Sequence, residues 1–139
     1  MILLGYNRPS STATFQASTA ESVSDSVSLH PYFRAHPGKL EAMKASLPGF
    51  ISKTATEKKN LYYDFTLNGD NLFCREAYVD ADGLLEHLTS VGPMMQELLT
   101  IADLTRLEVH GPATELDKLK DALQPLNPIW FVYQNGVND

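Results

Sequence analysis

Hydrophobic and polar side chains alternate along residues 61–67, and a second, mainly apolar stretch follows at residues 72–79. A period of two is typical of β-strands, because successive side chains point to opposite faces of a sheet. Between the stretches stands Asn68-Gly69, a pair that accepts the positive backbone angles of a tight reverse turn. The pattern therefore predicts a β-hairpin with Asn68-Gly69 at its turn.

The second strand of this hairpin is mainly apolar on both faces. One row is Leu72, Cys74, Glu76 and Tyr78, and the other is Phe73, Arg75, Ala77 and Val79. Such a strand needs cover on both sides of the sheet. Arg75 and Glu76 point to opposite faces, so we expect one of them at an interface and the other in a pocket; the pattern does not say which.

The segment after this strand has the period of an amphipathic helix. An acidic break at Asp80 and Asp82 precedes apolar-face positions spaced by three and four residues: Leu84, His87, Leu88, Val91, Met95 and Leu98. This spacing places His87 on the apolar face of a long helix.

The remaining elements are predicted in the same way. The expected strands are 26–33, 104–110 and 127–133; the expected helices start near Leu40 and after Pro112. Pro31 predicts either an edge position or an irregularity in the first strand, because proline cannot donate to a ladder. Pro48 is expected to kink or divide the first helix.

The order of these elements predicts the fold class. Strand, helix, strand, strand, helix and strand match the split βαβ arrangement of an α+β ferredoxin-like sandwich, and a C-terminal helix and strand extend it. Both main helices of that arrangement cover one sheet face. A second copy of the chain is the simplest cover for the other face, so we expect a homodimer.

Length and charge limit the function. The chain has 139 residues and a net charge of -6, with no basic cluster, so one domain that binds no nucleic acid is expected. No apolar run has the length of a membrane span. Cys74 is the single cysteine, which excludes an intramolecular disulfide, and its apolar neighbours indicate a small core residue.

Residues 1–24 are polar and are expected to form a flexible extension before a domain at 25–134. A short extra strand or a docking tail is the alternative. The opening MILL run is too short for a signal peptide and no positive charge precedes it, so a cytoplasmic location is expected.

His87 is the strongest candidate for a catalytic residue, as a base active near neutral pH. The alternative is a core histidine that is hydrogen bonded to a backbone carbonyl. His30 and Tyr32 would line the same cavity or form an ordinary cross-strand pair. Tyr63 is either a hydrogen-bond donor to the substrate or a core residue.

The four histidines, His30, His36, His87 and His110, lack metal-ligand spacing, so no metal is expected. No phosphate loop, nucleophile elbow or dinucleotide motif occurs.

Three segments resemble the antibiotic biosynthesis monooxygenase superfamily: PGKL, LYYDFTLNGD and CREAYVDADGLLEHLTSVGP. The similarity spans roughly residues 26–110. It implies a dimeric α+β barrel, in which His87 matches a frequent helical histidine and Tyr78 the aromatic before the helix. The Asn and Trp of haem-degrading members have no counterpart in this sequence, which disfavours haem degradation.

The resemblance implies a cofactor-independent monooxygenase that acts on a small aromatic or quinol-like substrate with molecular oxygen. His87 would be the base, and Arg75 or Tyr63 the donor to the oxyanion. His30, Tyr32, Glu76 and Tyr78 would bind the substrate. The alternative is a non-catalytic domain of the same fold that binds a small ligand or a partner.

Overall fold

The computed structural model describes residues 25–137. The elements in chain order are β1 (Val27–Ala35), α1 (Leu40–Thr54), β2 (Asn60–Asn68), β3 (Asn71–Tyr78), α2 (Ala81–Leu98), β4 (Ala102–Gly111), α3 (Ala113–Asp117), α4 (Lys120–Leu123) and β5 (Ile129–Val132). A single 3-10 turn, Gln124–Leu126, joins α4 to β5. The predicted N-terminal extension, residues 1–24, lies outside the described residues.

The strands form one sheet in the order β2-β3-β1-β4-β5. The pairs β2-β3, β3-β1 and β1-β4 are antiparallel, and β5 is parallel to β4. This is the ferredoxin-like α+β order with one added strand, so the predicted fold class is confirmed. The C-terminal extension contributes α3, α4 and β5.

Helices α1 and α2 cover one face of the sheet, here called the inner face. Met43 and Phe50 of α1 and Leu84 and Val91 of α2 are at most 2% exposed. They pack against inner-face strand residues in two apolar clusters. Burial of apolar area is the main stabilising contribution in such a layered fold.

Helix α2 begins where the acidic break predicts. The carboxylate of Asp80 accepts a hydrogen bond from the backbone N–H of Gly83 at 2.9 Å, which satisfies one unpaired donor of the first turn. Asp82 adds a negative charge near the positive end of the helix dipole. The capping hydrogen bond and the acidic first turn therefore favour a helix start at this point, and the start of α2 determines where His87 lies along the helix.

Proline and turn residues account for three local differences. β1 is a central strand, so the edge position considered for Pro31 is wrong; the irregularity is present, as the register with β4 shifts between Tyr32 and Phe33. α1 runs continuously through Pro48 instead of dividing. Asn68 pairs with Asn71, so the two-residue turn is Gly69-Asp70, with φ of 63° at Gly69.

The opposite sheet face, here called the outer face, carries aromatic and polar side chains. It includes Ser28, His30, Tyr32, Phe73, Arg75, Glu108, His110 and Phe131. Rings of neighbouring strands touch across it, for example Tyr32 and Phe73 with centroids 4.7 Å apart. Phe131 remains 39% exposed. Within residues 25–137 no helix has the length and hydrophobicity needed to cross a bilayer.

Candidate active site

A pocket of about 410 Å³ lies between the helices and the inner face of the sheet. Most of its wall is hydrocarbon, from residues such as Leu29, Phe33, Leu88, Met95 and Leu107. Four side chains with titratable groups also line it: Tyr63, Cys74, Glu76 and His87. An apolar cavity with a few convergent polar groups is the usual form of a small-molecule site.

His87 lies between two glutamates. Its Nδ1 atom is 3.1 Å from Oε1 and 3.0 Å from Oε2 of Glu57, and its Nε2 atom is 3.5 Å from Oε1 of Glu76. The side chains of His87 and Glu76 are 3% and 4% exposed, and that of Glu57 is 10% exposed. Because a carboxylate only accepts hydrogen bonds, Glu57 favours the tautomer with the proton on Nδ1. The lone pair of neutral His87 is then on Nε2, which faces Glu76.

Glu57 reaches this position from the turn that follows α1. Its backbone N–H donates to the carbonyl of Thr54 at 2.9 Å, which closes the turn. The sequence around it, TEKKN, is a charged connection without any apolar period. Nothing in that pattern distinguishes a glutamate that turns inward from one in solvent, so sequence reasoning missed this residue.

The carboxyl group of Glu76 is buried and hydrogen bonded. The hydroxyl of Tyr78 donates to Oε1 of Glu76 at 2.7 Å. Burial raises the pKa of Glu76 from 4.5 to about 7, although the hydrogen bonds from Tyr78 and Cys74 act in the opposite direction. Glu76 is therefore divided between its acid and carboxylate forms near neutral pH.

Burial also acts on the other groups of the pocket. It lowers the pKa of His87, against the raising effect of Glu57, so the imidazole is neutral at pH 7. Burial raises the pKa of Tyr63 and of Cys74, and nearby Glu76 adds to both shifts. The Tyr63 ring lies beside His87, with centroids 5.2 Å apart. Tyr63 and Cys74 are consequently neutral hydrogen-bonding groups, and Cys74 is not a thiolate.

The structure separates the candidate residues predicted from sequence into two groups. Tyr63, Glu76 and His87 come together at the pocket, and Tyr78 stands behind Glu76 as its hydrogen-bond donor. Arg75, His30 and Tyr32 lie on the outer face, because their positions alternate with Cys74, Glu76, Leu29 and Pro31, which line the pocket.

These placements correct the roles expected for the second group. Arg75 is 60% exposed and forms a two-bond pair with Asp64, with Nε at 3.0 Å and Nη2 at 3.2 Å from its oxygens. It is therefore not a donor to a substrate in the pocket. His30 lies opposite Glu108 of β4, and neither His30 nor Tyr32 lines the pocket.

Among solved structures, MupZ shares both sequence and fold with this chain. MupZ from Pseudomonas fluorescens has 41% sequence identity and a TM-score of 0.77 over 81% of this chain and 93% of MupZ. The chain belongs to the same family as MupZ. No protein-family model matches it, and neither does any curated protein sequence.

Other solved structures share the fold at lower identity than MupZ. Rv0793 from Mycobacterium tuberculosis has 26% identity and a TM-score of 0.56 over 63% of this chain and 94% of its own. A protein from Chloroflexus aurantiacus, described as a candidate antibiotic biosynthesis monooxygenase, has 18% identity and a TM-score of 0.51 over 63% and 93%. The likeness to that second protein shows the fold alone.

Proposed function

We propose that this member of the MupZ family is an enzyme that performs general acid–base catalysis on a small, largely apolar substrate. The observation that carries the proposal is the position of His87, which lies between buried Glu76 and partly buried Glu57 and lines the apolar pocket. Burying titratable groups together is costly unless they are paired, so such a cluster is a candidate functional site.

His87 acts as the base in this proposal. Glu57 holds the proton on Nδ1 and stabilises the imidazolium that forms when Nε2 takes a proton. The lowered pKa of His87 keeps the imidazole unprotonated at neutral pH, which is the form a base needs. Glu57 is thus a positioning residue, because it acts on the substrate through His87.

Glu76 acts as the acid. With a pKa of about 7 it carries a proton in a large fraction of molecules, and Oε1 lies 3.5 Å from the base. A base and an acid at one place remove a proton from one substrate atom and deliver one to another. Isomerisation next to a carbonyl needs this pair. So does attack of a hydroxyl oxygen on an epoxide carbon, in which the base takes the hydroxyl proton and the acid protonates the oxygen whose bond to that carbon breaks.

The pocket wall indicates the kind of substrate. The 3-10 turn and the end of α4 contribute Ala122, Leu123, Pro125 and Leu126 to the lining, and α2 contributes Met95 and Leu98. These side chains offer contacts to hydrocarbon and few hydrogen bonds. We therefore propose a substrate with an apolar body and one polar reacting group, directed toward Glu76 and His87.

A cofactor-independent monooxygenase is the second candidate. It is supported by the fold shared with the candidate monooxygenase from Chloroflexus aurantiacus and by a base that can ionise a phenol or quinol. In this second candidate His87 ionises the substrate, and neutral Tyr63 donates a hydrogen bond to the oxyanion. Arg75, the other donor considered, is on the outer face and does not line the pocket. An open pocket with converging titratable groups favours either enzyme over the non-catalytic binding domain.

The two candidates differ in their need for oxygen. Three probes are incubated with the protein in air and under argon: a β,γ-unsaturated ketone, styrene oxide and a hydroquinone. Acid–base catalysis predicts conversion of the ketone or the oxide at equal rates under both gases, with loss in His87→Asn. Monooxygenation predicts product from the hydroquinone in air alone, with matching oxygen uptake.

A measurement without substrate tests the acid–base proposal directly. Nitrogen NMR of the histidine side chains reports which ring nitrogen carries the proton. The proposal predicts a neutral His87 with the proton on Nδ1 at pH 7. An imidazolium, or a proton on Nε2, would leave no base facing Glu76 and would overturn the proposal.

The assembly and location of the enzyme are part of the proposal. The partly exposed aromatic side chains of the outer face support a homodimer in which two sheets pack face to face. The substrate is a small molecule, with oxygen required only by the second candidate. A cytoplasmic location stays a prediction from the sequence.

A further inference from the structure

Pairing of β1 with β4 brings two histidines and a glutamate together on the outer face, on the opposite side of the sheet from the pocket. His30 is directly opposite Glu108, and His110 lies one register position along the same face. One potential ligand atom from each of His30, Glu108 and His110 lies within 4.8 Å of the other two. All three side chains are partly buried.

The separations suit a tetrahedral metal centre. Bonds of 2.0–2.2 Å from Zn²⁺ to nitrogen or oxygen give about 3.4 Å between any two ligand atoms. Nε2 of His110 and Oε1 of Glu108 are already 3.3 Å apart. The remaining separations are within 4.8 Å.

Neighbouring groups hold the three side chains in place. Arg106 Nε donates to Oε2 of Glu108 at 2.6 Å, which leaves Oε1 toward His110. The ring of His110 stacks on Phe131 with centroids 4.4 Å apart, and Ser28 Oγ lies 2.8 Å from Nε2 of His30. Contacts of this kind orient the ligands of metal sites.

We propose that His30, Glu108 and His110 form a binding site for a divalent transition metal ion, with Zn²⁺ as the best fit. Two imidazoles and one carboxylate are ligands that Zn²⁺ prefers, and three protein ligands leave a fourth position open to water or another group. This site uses none of the residues of the proposed active site, but it lies on the outer face through which the proposed homodimer packs. The sequence did not indicate it, because the two histidines become neighbours only when β1 pairs with β4.

The test uses the full chain without an affinity tag, stripped of metal with EDTA. Calorimetric titration with zinc chloride should show one ion bound per chain. His110→Ala and His30→Gln should each weaken binding by more than about a hundredfold, since even outer contacts of a metal site cost up to that much. His36→Ala is the matched control: His36 is also next to a carboxylate, 2.9 Å from Asp103, but stands apart from the cluster. It should bind zinc as tightly as the parent chain.

A second readout needs no variant. In histidine NMR spectra of the unaltered chain, zinc should shift the resonances of His30 and His110 and leave those of His36 and His87 in place. The proposal is overturned if the parent chain binds no zinc, if His36→Ala weakens binding as much as the other variants, or if zinc shifts His36 or His87 instead. If a variant fails to fold, the NMR result on the unaltered chain decides whether the proposal holds.

Discussion

Nε2 of His87 lies 3.5 Å from Oε1 of Glu76, and the same oxygen accepts the hydroxyl of Tyr78 at 2.7 Å. Helix α2 supplies the histidine, whereas Glu76 and Tyr78 come from β3, so packing of that helix on the sheet assembles the group. Glu57 completes it from the turn after α1. Three elements thus bring a cluster of titratable groups together at the apolar pocket.

The first prediction concerns the base. In His87→Asn the amide nitrogen can still donate to Glu57, but no lone pair remains at the position of Nε2. We expect kcat on a converted probe to fall by roughly a hundredfold or more, the usual contribution of a positioned base. The measurement is kcat and KM, with the melting temperature as a check on folding.

His36→Asn is the control for this change, because His36 is exposed and outside the pocket. It should leave kcat unchanged. If His87→Asn turned over normally, or if every conservative replacement of His87 unfolded the chain, His87 would be a buried core histidine and no more.

The second prediction concerns Glu57. Its carboxylate raises the pKa of His87, against the lowering effect of burial. Glu57→Gln removes that charge, so the pKa of His87 should fall further and the preference for a proton on Nδ1 should weaken. Nitrogen NMR of the histidine measures both. Glu41→Gln, on the exposed side of α1, is the control; an unchanged His87 in Glu57→Gln would contradict the geometry.

Much of the fold follows from periodicity alone. Alternation along residues 61–67 and the apolar run at residues 72–79 predict β2 and β3, and spacing by three and four predicts α2 with His87 on its apolar face. The signal is strongest in α2, because one side of that helix is buried and the apolar residues recur with the helical period. The sequence predicts the hairpin turn at Asn68-Gly69, one residue before its position at Gly69-Asp70. Asn68 and Gly69 both tolerate turn positions, and only the pairing of Asn68 with Asn71 shows which two residues form the turn.

The candidate site was predictable only in part. The alternation shows that Arg75 and Glu76 face opposite sides, but both rows of β3 are mainly apolar, so the side that meets the helices is fixed by packing rather than by pattern. The pattern therefore leaves open which of the two residues faces the pocket, and the structure places Glu76 there. The position of Glu57 beside His87 and the contact between the rings of His30 and His110 both join segments that are distant in sequence. A local sequence pattern contains no information about such contacts.

The third prediction is a homodimer. Light scattering after size exclusion should give twice the chain mass of 15.4 kDa at micromolar concentration. Tyr32→Glu places a charge on the outer face, where two copies would have to bury it, and should yield monomers. Ile51→Glu, on exposed α1, is the control and should leave the dimer intact. A monomeric parent chain at that concentration would contradict the face-to-face assembly.

The fourth prediction follows from the pKa of Glu76, which burial raises from 4.5 to about 7. Between these values the folded chain holds a proton that the unfolded chain releases, so the free energy of unfolding should decrease as the pH rises. A shift of this size corresponds to about 3 kcal/mol. The stabilisation is complete below pH 4.5 and is lost by the time the pH has passed 7.

Glu76→Gln tests this dependence, because the amide keeps an acceptor for Tyr78 and cannot ionise. Denaturant unfolding of both proteins is measured across the interval from pH 4.5 to 7. The difference in unfolding free energy, parent minus variant, should decrease steadily over that interval. His87, whose pKa is lowered, contributes stability that increases with pH, but it is present in both proteins and largely cancels. A constant difference would mean that Glu76 titrates as an ordinary exposed carboxyl group and cannot serve as the acid at neutral pH.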